Sequence, residues 1–159
     1  RLGTSEVESQ IVHITFEGEI IMKVLSYDPE LCVGCYVCEE ICSDTWFKVT
    51  DAEKSSIRIH EDEDGSLSAV FCNQCGACVD VCPTEALYRD RRGIVRLRKK
   101  LCVGCLSCVG FCPYDAMFYH ADQTEPFKCI ACGKCVDECP ADAVAVVDVE
   151  SPAPASVTG

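Results

Sequence analysis

Sixteen cysteines repeat one spacing, C-x2-C-x2-C-x3-C, four times along a chain of 159 residues. The four sets are Cys32, Cys35, Cys38 and Cys42; Cys72, Cys75, Cys78 and Cys82; Cys102, Cys105, Cys108 and Cys112; and Cys129, Cys132, Cys135 and Cys139. The first three thiolates of a set can bind three corners of an iron–sulfur cubane, because a tight turn aims successive sulfurs inward, and the fourth binds the other cluster of a pair. The spacing therefore predicts four [4Fe-4S] clusters, with all sixteen cysteines binding iron.

Zinc sites and disulfides are the other common uses of cysteine. A structural zinc ion usually takes C-x2-C pairs separated by a longer loop, and a third cysteine two residues further on would crowd a single ion. A disulfide framework needs an oxidising compartment, and no secretory or twin-arginine segment precedes the first motif. Disulfide spacing is also irregular, whereas this spacing repeats without error. Both alternatives are therefore disfavoured.

The composition limits the partners of the chain. Its net charge is −12, and each oxidised all-cysteine cluster would add about −2. Such an anion would be repelled by nucleic acid and suits docking onto a basic protein surface. No apolar run approaches the length of a membrane span, so we expect a soluble protein, cytoplasmic or peripheral to a larger complex. Because so much of the apolar composition is cysteine, folding is expected to depend on cluster insertion.

The segments between the motifs carry strand and turn signals. The 29 residues between the first and second motifs predict a β-hairpin whose turn is the acidic stretch Glu61–Gly65. The 19 residues between the second and third motifs predict another hairpin, with its turn near Asp90–Gly93. After the last motif, Ala143–Val147 predicts a strand.

A larger repeat relates the first motif to the third, and the second to the fourth. For example, Leu31–Cys35 has the sequence Leu-Cys-Val-Gly-Cys, which recurs at Leu101–Cys105. A glycine flanks the second cysteine of every motif, where left-handed backbone angles are expected; these are Gly34, Gly76, Gly104 and Gly133. A proline that should end a short helical turn follows three motifs, as Pro83, Pro113 and Pro140. The first motif has Ser43 instead.

Four such motifs, the last preceded by Pro-Phe-Lys at Pro126–Lys128, resemble the four-cluster ferredoxin-like subunits of redox complexes. That family includes the B-type subunits of dimethyl sulfoxide reductase, formate dehydrogenase and hydrogenase complexes. It also includes the small partners of tungsten aldehyde oxidoreductases and of tungsten benzoyl-CoA reductases. The resemblance implies an α+β, ferredoxin-like fold of two pseudo-symmetric 2[4Fe-4S] modules with short helices and β-hairpins.

The resemblance covers about residues 22–148. It implies an inner module at about 68–121 and an outer module made of about 22–45 plus 122–148. Residues 1–21 would be an N-terminal extension, in which the alternation from Ile11 to Phe16 predicts a strand. Residues 149–159 would be a C-terminal tail with the composition of a linker.

The resemblance also implies which cysteines share a cluster, because in that family the two inner motifs pair with each other and the two outer motifs pair across the chain. The implied sets are Cys72, Cys75, Cys78 and Cys112; Cys102, Cys105, Cys108 and Cys82; Cys32, Cys35, Cys38 and Cys139; and Cys129, Cys132, Cys135 and Cys42. The internal repeat alone would equally allow the first motif to pair with the second, and the third with the fourth. Linker length favours the arrangement of the family, since 19 residues suit a ferredoxin-like half better than 29.

Other residues beside the motifs allow weaker predictions. Seven of the 14 basic residues lie in one segment of 12 positions, at Arg89, Arg91, Arg92, Arg96, Arg98, Lys99 and Lys100. They either offset the charge of the clusters or form a docking surface for an acidic partner. The histidines His13, His60 and His120 show no ligand spacing. Packing that excludes water from the clusters is expected of the aromatic residues Phe71, Phe111, Tyr114, Phe118, Tyr119 and Phe127.

Electron transfer is the function that these features favour. There is no G-x-G-x-x-G, no P-loop and no radical S-adenosylmethionine motif, and a cluster with four cysteines has no open iron for a substrate. We therefore expect no catalytic residues, and a subunit that relays electrons to or from the catalytic subunit of a larger cytoplasmic oxidoreductase of anaerobic metabolism. A tungsten- or molybdenum-pterin subunit is the expected partner, with a ferredoxin or a flavin subunit as a further electron-exchange partner. A free-standing polyferredoxin and an iron–sulfur sensor or carrier are the alternatives.

Overall fold

The computed structural model describes residues 21–150, which form three two-stranded antiparallel sheets joined by short helices. In chain order the elements are β1 (Ile21–Tyr27), α1 (Val37–Phe47), β2 (Ile57–Glu61), β3 (Leu67–Phe71), α2 (Ala77–Asp80), β4 (Leu87–Arg89), β5 (Val95–Leu97), α3 (Ser107–Gly110), α4 (Lys134–Asp137) and β6 (Val144–Glu150). Single 3-10 turns lie at Ala52–Lys54 and Lys99–Leu101. The predicted α+β fold of hairpins and short helices is confirmed. None of these helices is long and apolar enough to cross a bilayer.

Strands β1 and β6 bring the two ends of the described chain together. They pair antiparallel, with Ile21 opposite Glu150 and Tyr27 opposite Val144. The predicted strand after the last motif is confirmed, and it is longer than expected because β1 offers it a partner over seven residues. The strand predicted at Ile11–Phe16 lies outside the described residues.

Both predicted hairpins are confirmed. Strands β2 and β3 pair across a turn in which the Gly65 N–H donates to the Asp62 carbonyl at 2.9 Å. Strands β4 and β5 pair across a second turn, where the Gly93 N–H donates to the Asp90 carbonyl at 3.0 Å. The Asp90 carboxylate also accepts the Ile94 N–H at 2.9 Å, so this turn is tied at two points.

The residue that follows each motif sets the length of its helix. Helices α2, α3 and α4 are single turns of four residues, and each precedes a proline-containing turn. Helix α1 continues for 11 residues because Ser43 replaces the proline. The Ser43 hydroxyl donates to the Glu39 carbonyl at 3.1 Å and accepts the Asp51 N–H at 3.2 Å. The absence of the proline therefore lengthens the helix, and the serine ties it to the loop that follows.

Two separate hydrophobic clusters form the core. One contains Leu25, Ile57, Ile59, Cys135 and Val144. The other contains Cys78, Leu87, Val95, Cys108 and Met117. Each cluster is small and includes motif cysteines, so the apolar core and the predicted metal sites occupy the same regions of the molecule.

The two hairpin turns allow a matched test of backbone packing. Gly65 and Gly93 both have positive φ, 81° and 73°. A Cβ at Gly65 would meet nothing within 4 Å, whereas one at Gly93 would lie 2.7 Å from the Met22 Cα. We expect Gly65→Ala to cost about 1–2 kcal/mol through left-handed strain alone. Gly93→Ala should cost roughly 1–3 kcal/mol more, because β1 must move.

The measurement is the temperature at which cluster-loaded protein loses its visible absorbance. Gly93→Ala should lower it further than Gly65→Ala does. Equal shifts for the two variants would show that β1 does not pack against the β4–β5 turn in solution.

Candidate metal centres

The sixteen cysteines all carry free thiols and line four cavities, with four cysteines to each. Site A is lined by Cys32, Cys35, Cys38 and Cys139. Site B is lined by Cys42, Cys129, Cys132 and Cys135. Site C is lined by Cys72, Cys75, Cys78 and Cys112. Site D is lined by Cys82, Cys102, Cys105 and Cys108.

The cavities at sites A, C and D are small and of similar size. The cavity at site B is larger, because it continues into a groove lined by Leu87, Leu97 and Met117. In every site three cysteines come from one motif and the fourth from another. The structure thus brings the first motif together with the fourth, and the second with the third.

Left-handed backbone angles on both sides of the second cysteine turn each motif around its cavity. One flank is the predicted glycine, with φ between 66° and 95°, at Gly34, Gly76, Gly104 and Gly133. The other flank is not glycine, yet it also has positive φ, between 49° and 63°, at Tyr36, Gln74, Leu106 and Ala131. Such angles are unfavourable for residues with a Cβ. The repeated local structure therefore depends on the surrounding packing as well as on glycine.

Backbone N–H groups point at the sulfurs of sites B and C. Ser56 and Ala131 donate to Cys42 and Cys129 of site B, at 3.3 and 3.4 Å. At site C the donors are the N–H groups of Gln74 and Ala116, which lie 3.3 and 3.4 Å from the sulfurs of Cys72 and Cys112. Hydrogen bonds to cluster sulfurs are one of the factors that set reduction potential.

Helix packing carries the last cysteine of a motif to the partner motif. Helix α1 packs against α4, and α2 packs against α3. Burial, and then the charge of neighbouring thiols that include Cys42, raises the pKa of Cys135 to about 12. The pKa of Cys108 rises to about 11 by burial, with a further contribution from Cys82. Cys42 is therefore close to the fourth motif, and Cys82 is close to the third motif, as their shared cavities require.

Burial is the main reason why several thiols resist ionisation. It raises the pKa to about 12 for Cys38, Cys78, Cys129 and Cys135. The thiolate is the metal ligand, so binding must displace protons from these groups. Protons therefore compete with the metal over a wide pH range, and a fall in pH favours release of the metal.

The donor set fits [4Fe-4S] clusters better than single ions. Among residues 21–150, no three Cys, His, Asp or Glu side chains converge as ligands of one ion. The cysteines instead converge in sets of four on a common cavity, and four thiolates are the number that holds one [4Fe-4S] cluster. At site A the Tyr27 side chain lines the cavity together with Cys32, so its hydroxyl can donate to a sulfur there. Sixteen cysteines in four such sites fit four [4Fe-4S] clusters.

The four sites follow one another in the order A, B, C and D, and the groove of site B also borders Leu87, Leu97 and Pro126 of site D. The charge of Cys38 at site A contributes to the raised pKa of Cys135 at site B. The charge of Cys72 at site C likewise contributes to the raised pKa of Cys129 at site B. The charge of Cys108 at site D contributes to the raised pKa of Cys78 at site C. Each site is therefore electrostatically coupled to the next one in the row.

The basic segment divides into internal and exposed side chains. The Arg89 guanidinium donates to the Gly93 and Cys75 carbonyls, at 2.6 and 3.0 Å. Arg96 pairs with Asp90 at 3.0 Å, and Arg98 stacks on Tyr88. The exposed side chains without such contacts are Arg91, Arg92, Lys99 and Lys100. A docking surface could thus use only about half of the segment.

That the aromatic residues exclude water from the clusters stays a prediction, since the six rings differ in exposure and even the exposed Tyr114 lines site C. Phe118 is buried, while Phe71 and Phe127 are half-buried. The exposed members are Phe111, Tyr114 and Tyr119. Of the histidines, His120 lies among Asp51, Glu53 and Asp122, His60 is exposed and His13 lies outside the described residues.

Three buried polar residues beside the cysteines were missed by the sequence reasoning. Glu39 is buried in α1, and its carboxylate accepts the Ile59 N–H at 2.6 Å. Gln74 is fully buried and bonds to Lys128, which is itself buried. Their position in the sequence could have indicated a role, since each residue lies directly beside a motif cysteine or between two of them. Their burial depends on contacts with residues far away in the chain.

Comparison with protein families identifies the same units. Profiles described as "4Fe-4S dicluster domain" match residues 31–87, 71–116 and 94–140. The chain therefore contains 4Fe-4S dicluster domains, as the cysteine spacing predicts.

Curated proteins similar to this chain include electron-transfer subunits. An uncharacterised ferredoxin-like protein of Escherichia coli, YdhX, is 32% identical over 110 residues, 64% of this chain and 49% of its own length. The thiosulfate reductase electron transfer subunit PhsB of Salmonella typhi is 32% identical over 90 residues, 51% of this chain and 47% of its own. The B subunit of the anaerobic dimethyl sulfoxide reductase of Haemophilus influenzae is 31% identical over 96 residues, 49% of this chain and 46% of its own. The chain spans about half the length of these relatives.

Among solved structures, a subunit of the active site complex BamBC of benzoyl coenzyme A reductase, as isolated, is similar. The identity is 21%, the match covers 87% of this chain and 84% of that subunit, and the TM-score is 0.48.

Iron content can test which cysteines share a cluster. Replacing one ligand by alanine should lose one cluster, so Cys42→Ala and Cys129→Ala should each lower the iron content from about 16 to about 12 per chain. If both cysteines bind the cluster of site B, the double variant should also retain about 12. The matched control is Cys42→Ala with Cys32→Ala, which belong to one motif but to different sites, and it should retain about 8.

Non-additive losses of this kind report a shared unit. An iron content near 8 for Cys42→Ala/Cys129→Ala, with about 12 for the control pair, would favour binding of each motif to its own cluster.

Proposed function

We propose that this chain is the electron-relay subunit of a larger oxidoreductase, carrying one [4Fe-4S] cluster at each of sites A, B, C and D. The observation that carries the proposal is the continuous row of four cavities, each lined by four free thiols. Electron tunnelling falls steeply with distance, so neighbouring clusters in a row suit stepwise transfer. A bound [4Fe-4S] cluster supplies one-electron redox chemistry, and the chain positions and insulates it.

The ligand sets belong to the same proposal. We infer that the four cysteines lining each cavity bind its cluster, with sites A and B in an outer module and sites C and D in an inner module. The module limits are those expected from the sequence, about 22–45 plus 122–148 and about 68–121. The packing of α1 on α4 and of α2 on α3 supports this division.

Exposed apolar surface beside an exposed cysteine supports entry and exit of electrons at sites A and D, although site B also has an exposed cysteine, Cys132. Site A has an exposed cysteine, Cys35, beside the exposed Val33. Site D has the same arrangement at Cys105 and Val103. Apolar contact at an exposed cluster edge favours close docking of a redox partner. We therefore infer that one end meets a catalytic subunit and the other end an electron-exchange partner.

The proposed partner is a tungsten- or molybdenum-pterin subunit of a reductase, with a ferredoxin or a flavin subunit at the opposite end of the row. Similarity to an electron transfer subunit and to the B subunit of a reductase supports an assembly with a catalytic subunit. We propose that the chain has no substrate site of its own and that it acts in the cytoplasm. Sixteen free thiols suit a reducing compartment.

A free-standing polyferredoxin is the second candidate, and the double exposure at sites A and D is equally compatible with it. The two candidates differ in whether a catalytic subunit remains bound. Affinity purification from an anaerobic native source should retain a stoichiometric large subunit if the relay proposal is right. Preparations consistently free of a second subunit would favour the polyferredoxin.

The chain alone should be redox-active and catalytically silent. Anaerobically purified protein should contain about 16 iron and 16 sulfide per chain, by the four-cysteine rule for [4Fe-4S] centres. It should pass electrons from a low-potential donor to an acceptor dye without converting an organic substrate. Iron near 8 per chain, zinc in quantity or substrate turnover by the isolated chain would contradict the proposal.

The exposed basic side chains should affect docking through the association rate. Charges at the rim of an interface mainly steer encounter, and salt screens their effect. We expect Arg91→Glu with Arg92→Glu to slow association with an acidic partner at low ionic strength, and to weaken its dependence on salt. Stopped-flow association at several salt concentrations would measure this.

The matched control is Lys48→Glu with Lys134→Glu, which changes the net charge equally at exposed positions outside the basic segment. If both double variants slow association to the same extent, net charge rather than the β4–β5 turn determines the rate.

A further inference from the structure

Lys128 occupies the junction between two cluster sites. Its side chain lines the cavity of site B and also the cavity of site C. Met117 is the other residue that lines both cavities. Since the sites form a row, this junction lies at its middle, where an electron passes between the two halves of the chain.

The Lys128 ammonium is held by neutral groups. The side chain is buried, with 9% of its surface exposed. Its Nζ donates to the Gln74 Oε1 at 2.8 Å and to the Cys129 carbonyl at 3.1 Å. No carboxylate of residues 21–150 lies within 4.0 Å of it, although Glu125 lines the same groove. A buried cation usually has an anionic partner, so the anions it faces must be the sulfurs of the sites themselves.

Gln74 fixes the position of Lys128. It is fully buried, and its Nε2 donates to the Cys129 carbonyl at 2.8 Å. Its Oε1 accepts the Val95 N–H at 3.0 Å in addition to the ammonium. The lysine is thereby tied to β5 of one half of the chain and to the last motif of the other half.

The charge acts on both sites through sulfur. Burial is the main reason why the pKa of Cys72 is raised, and the nearby Lys128 charge opposes that rise. Burial also raises the pKa of Cys78 at site C and of Cys129 at site B, and the Lys128 charge opposes both of these rises. A positive charge that favours thiolates also favours addition of an electron to a cluster, since both changes add negative charge to the site.

We propose that Lys128 is a potential-tuning residue, whose buried charge raises the reduction potentials of the clusters at sites B and C and so stabilises an electron at the middle of the relay. The proposal rests on the proposed cluster at each site. No step of it requires the lysine to gain or lose a proton.

The test is a redox titration of the cluster-loaded protein followed by electron paramagnetic resonance. Lys128→Gln should make reduction of two of the four clusters at least tenfold less favourable, which is about 59 mV for a one-electron couple. The other two clusters should shift less. Lys128→Arg keeps the charge and should restore the potentials of the wild-type protein.

Lys134→Gln is the matched control. It removes the same charge one residue from Cys135 of site B, but from an exposed side chain that water and salt screen. It should shift the potentials by much less than Lys128→Gln does. Lys128→Met is a second neutral variant with an unbranched apolar side chain of similar length, and it should reproduce the shift of Lys128→Gln.

Three results would overturn the proposal. The neutral variants could load about 16 iron by the four-cluster rule and leave the potentials unchanged, or they could shift all four clusters equally. Alternatively, both neutral variants could fail to load iron while Lys128→Arg loads fully, which would make the lysine a requirement for building the site. Wild-type protein with fewer than four clusters would instead refute the ligand assignment, so the two failures are distinguishable.

Discussion

The bond between buried cysteine sulfur and iron is the interaction on which the rest of this structure depends. The apolar core is divided into two small clusters, and both include cysteines that line metal sites. Without iron, burial favours the neutral thiol at Cys38, Cys78, Cys129 and Cys135, and these residues then contribute only as small apolar side chains. With iron, each site joins segments that are far apart in the chain. The binding free energy of the clusters is therefore also folding free energy.

The structural features that depend only on neighbouring residues could be predicted from the sequence. Cysteine spacing, glycine and proline act within one turn of the chain, so the motifs and the hairpins follow from neighbouring residues. The partner of each motif depends on helix packing across the chain, and the internal repeat is compatible with two pairings. The contacts of α1 with α4 and of α2 with α3, together with the pairing of β1 with β6, bring distant cysteines into one cavity.

The remaining differences between the sequence-based predictions and the structure arise because side chains contact residues that are distant in the sequence. The basic segment looks uniform as a sequence, yet Arg89 binds the carbonyl of Cys75 and lies against the Met22 sulfur. The Pro-Phe-Lys segment before the last motif looks like part of a family signature, yet Lys128 contacts a glutamine 54 residues earlier in the chain. A residue type near a motif shows that a charge is present. Burial decides whether that charge acts on the cluster or is screened by water.

Buried charge also breaks the symmetry between the two halves of the repeat. Glu39 follows Cys38 directly and lies buried beside site A, where its charge is one of the contributions that raise the pKa of Cys38. A negative charge disfavours reduction of a nearby cluster, whereas Lys128 and the N–H groups that donate to the sulfurs of sites B and C favour it. The first and third motifs are similar in sequence, but the third has Val109 where the first has Glu39. Charge placement of this kind makes an electron more stable at the middle of the row than at site A, so single buried side chains make the cluster sites of the duplicated scaffold unequal.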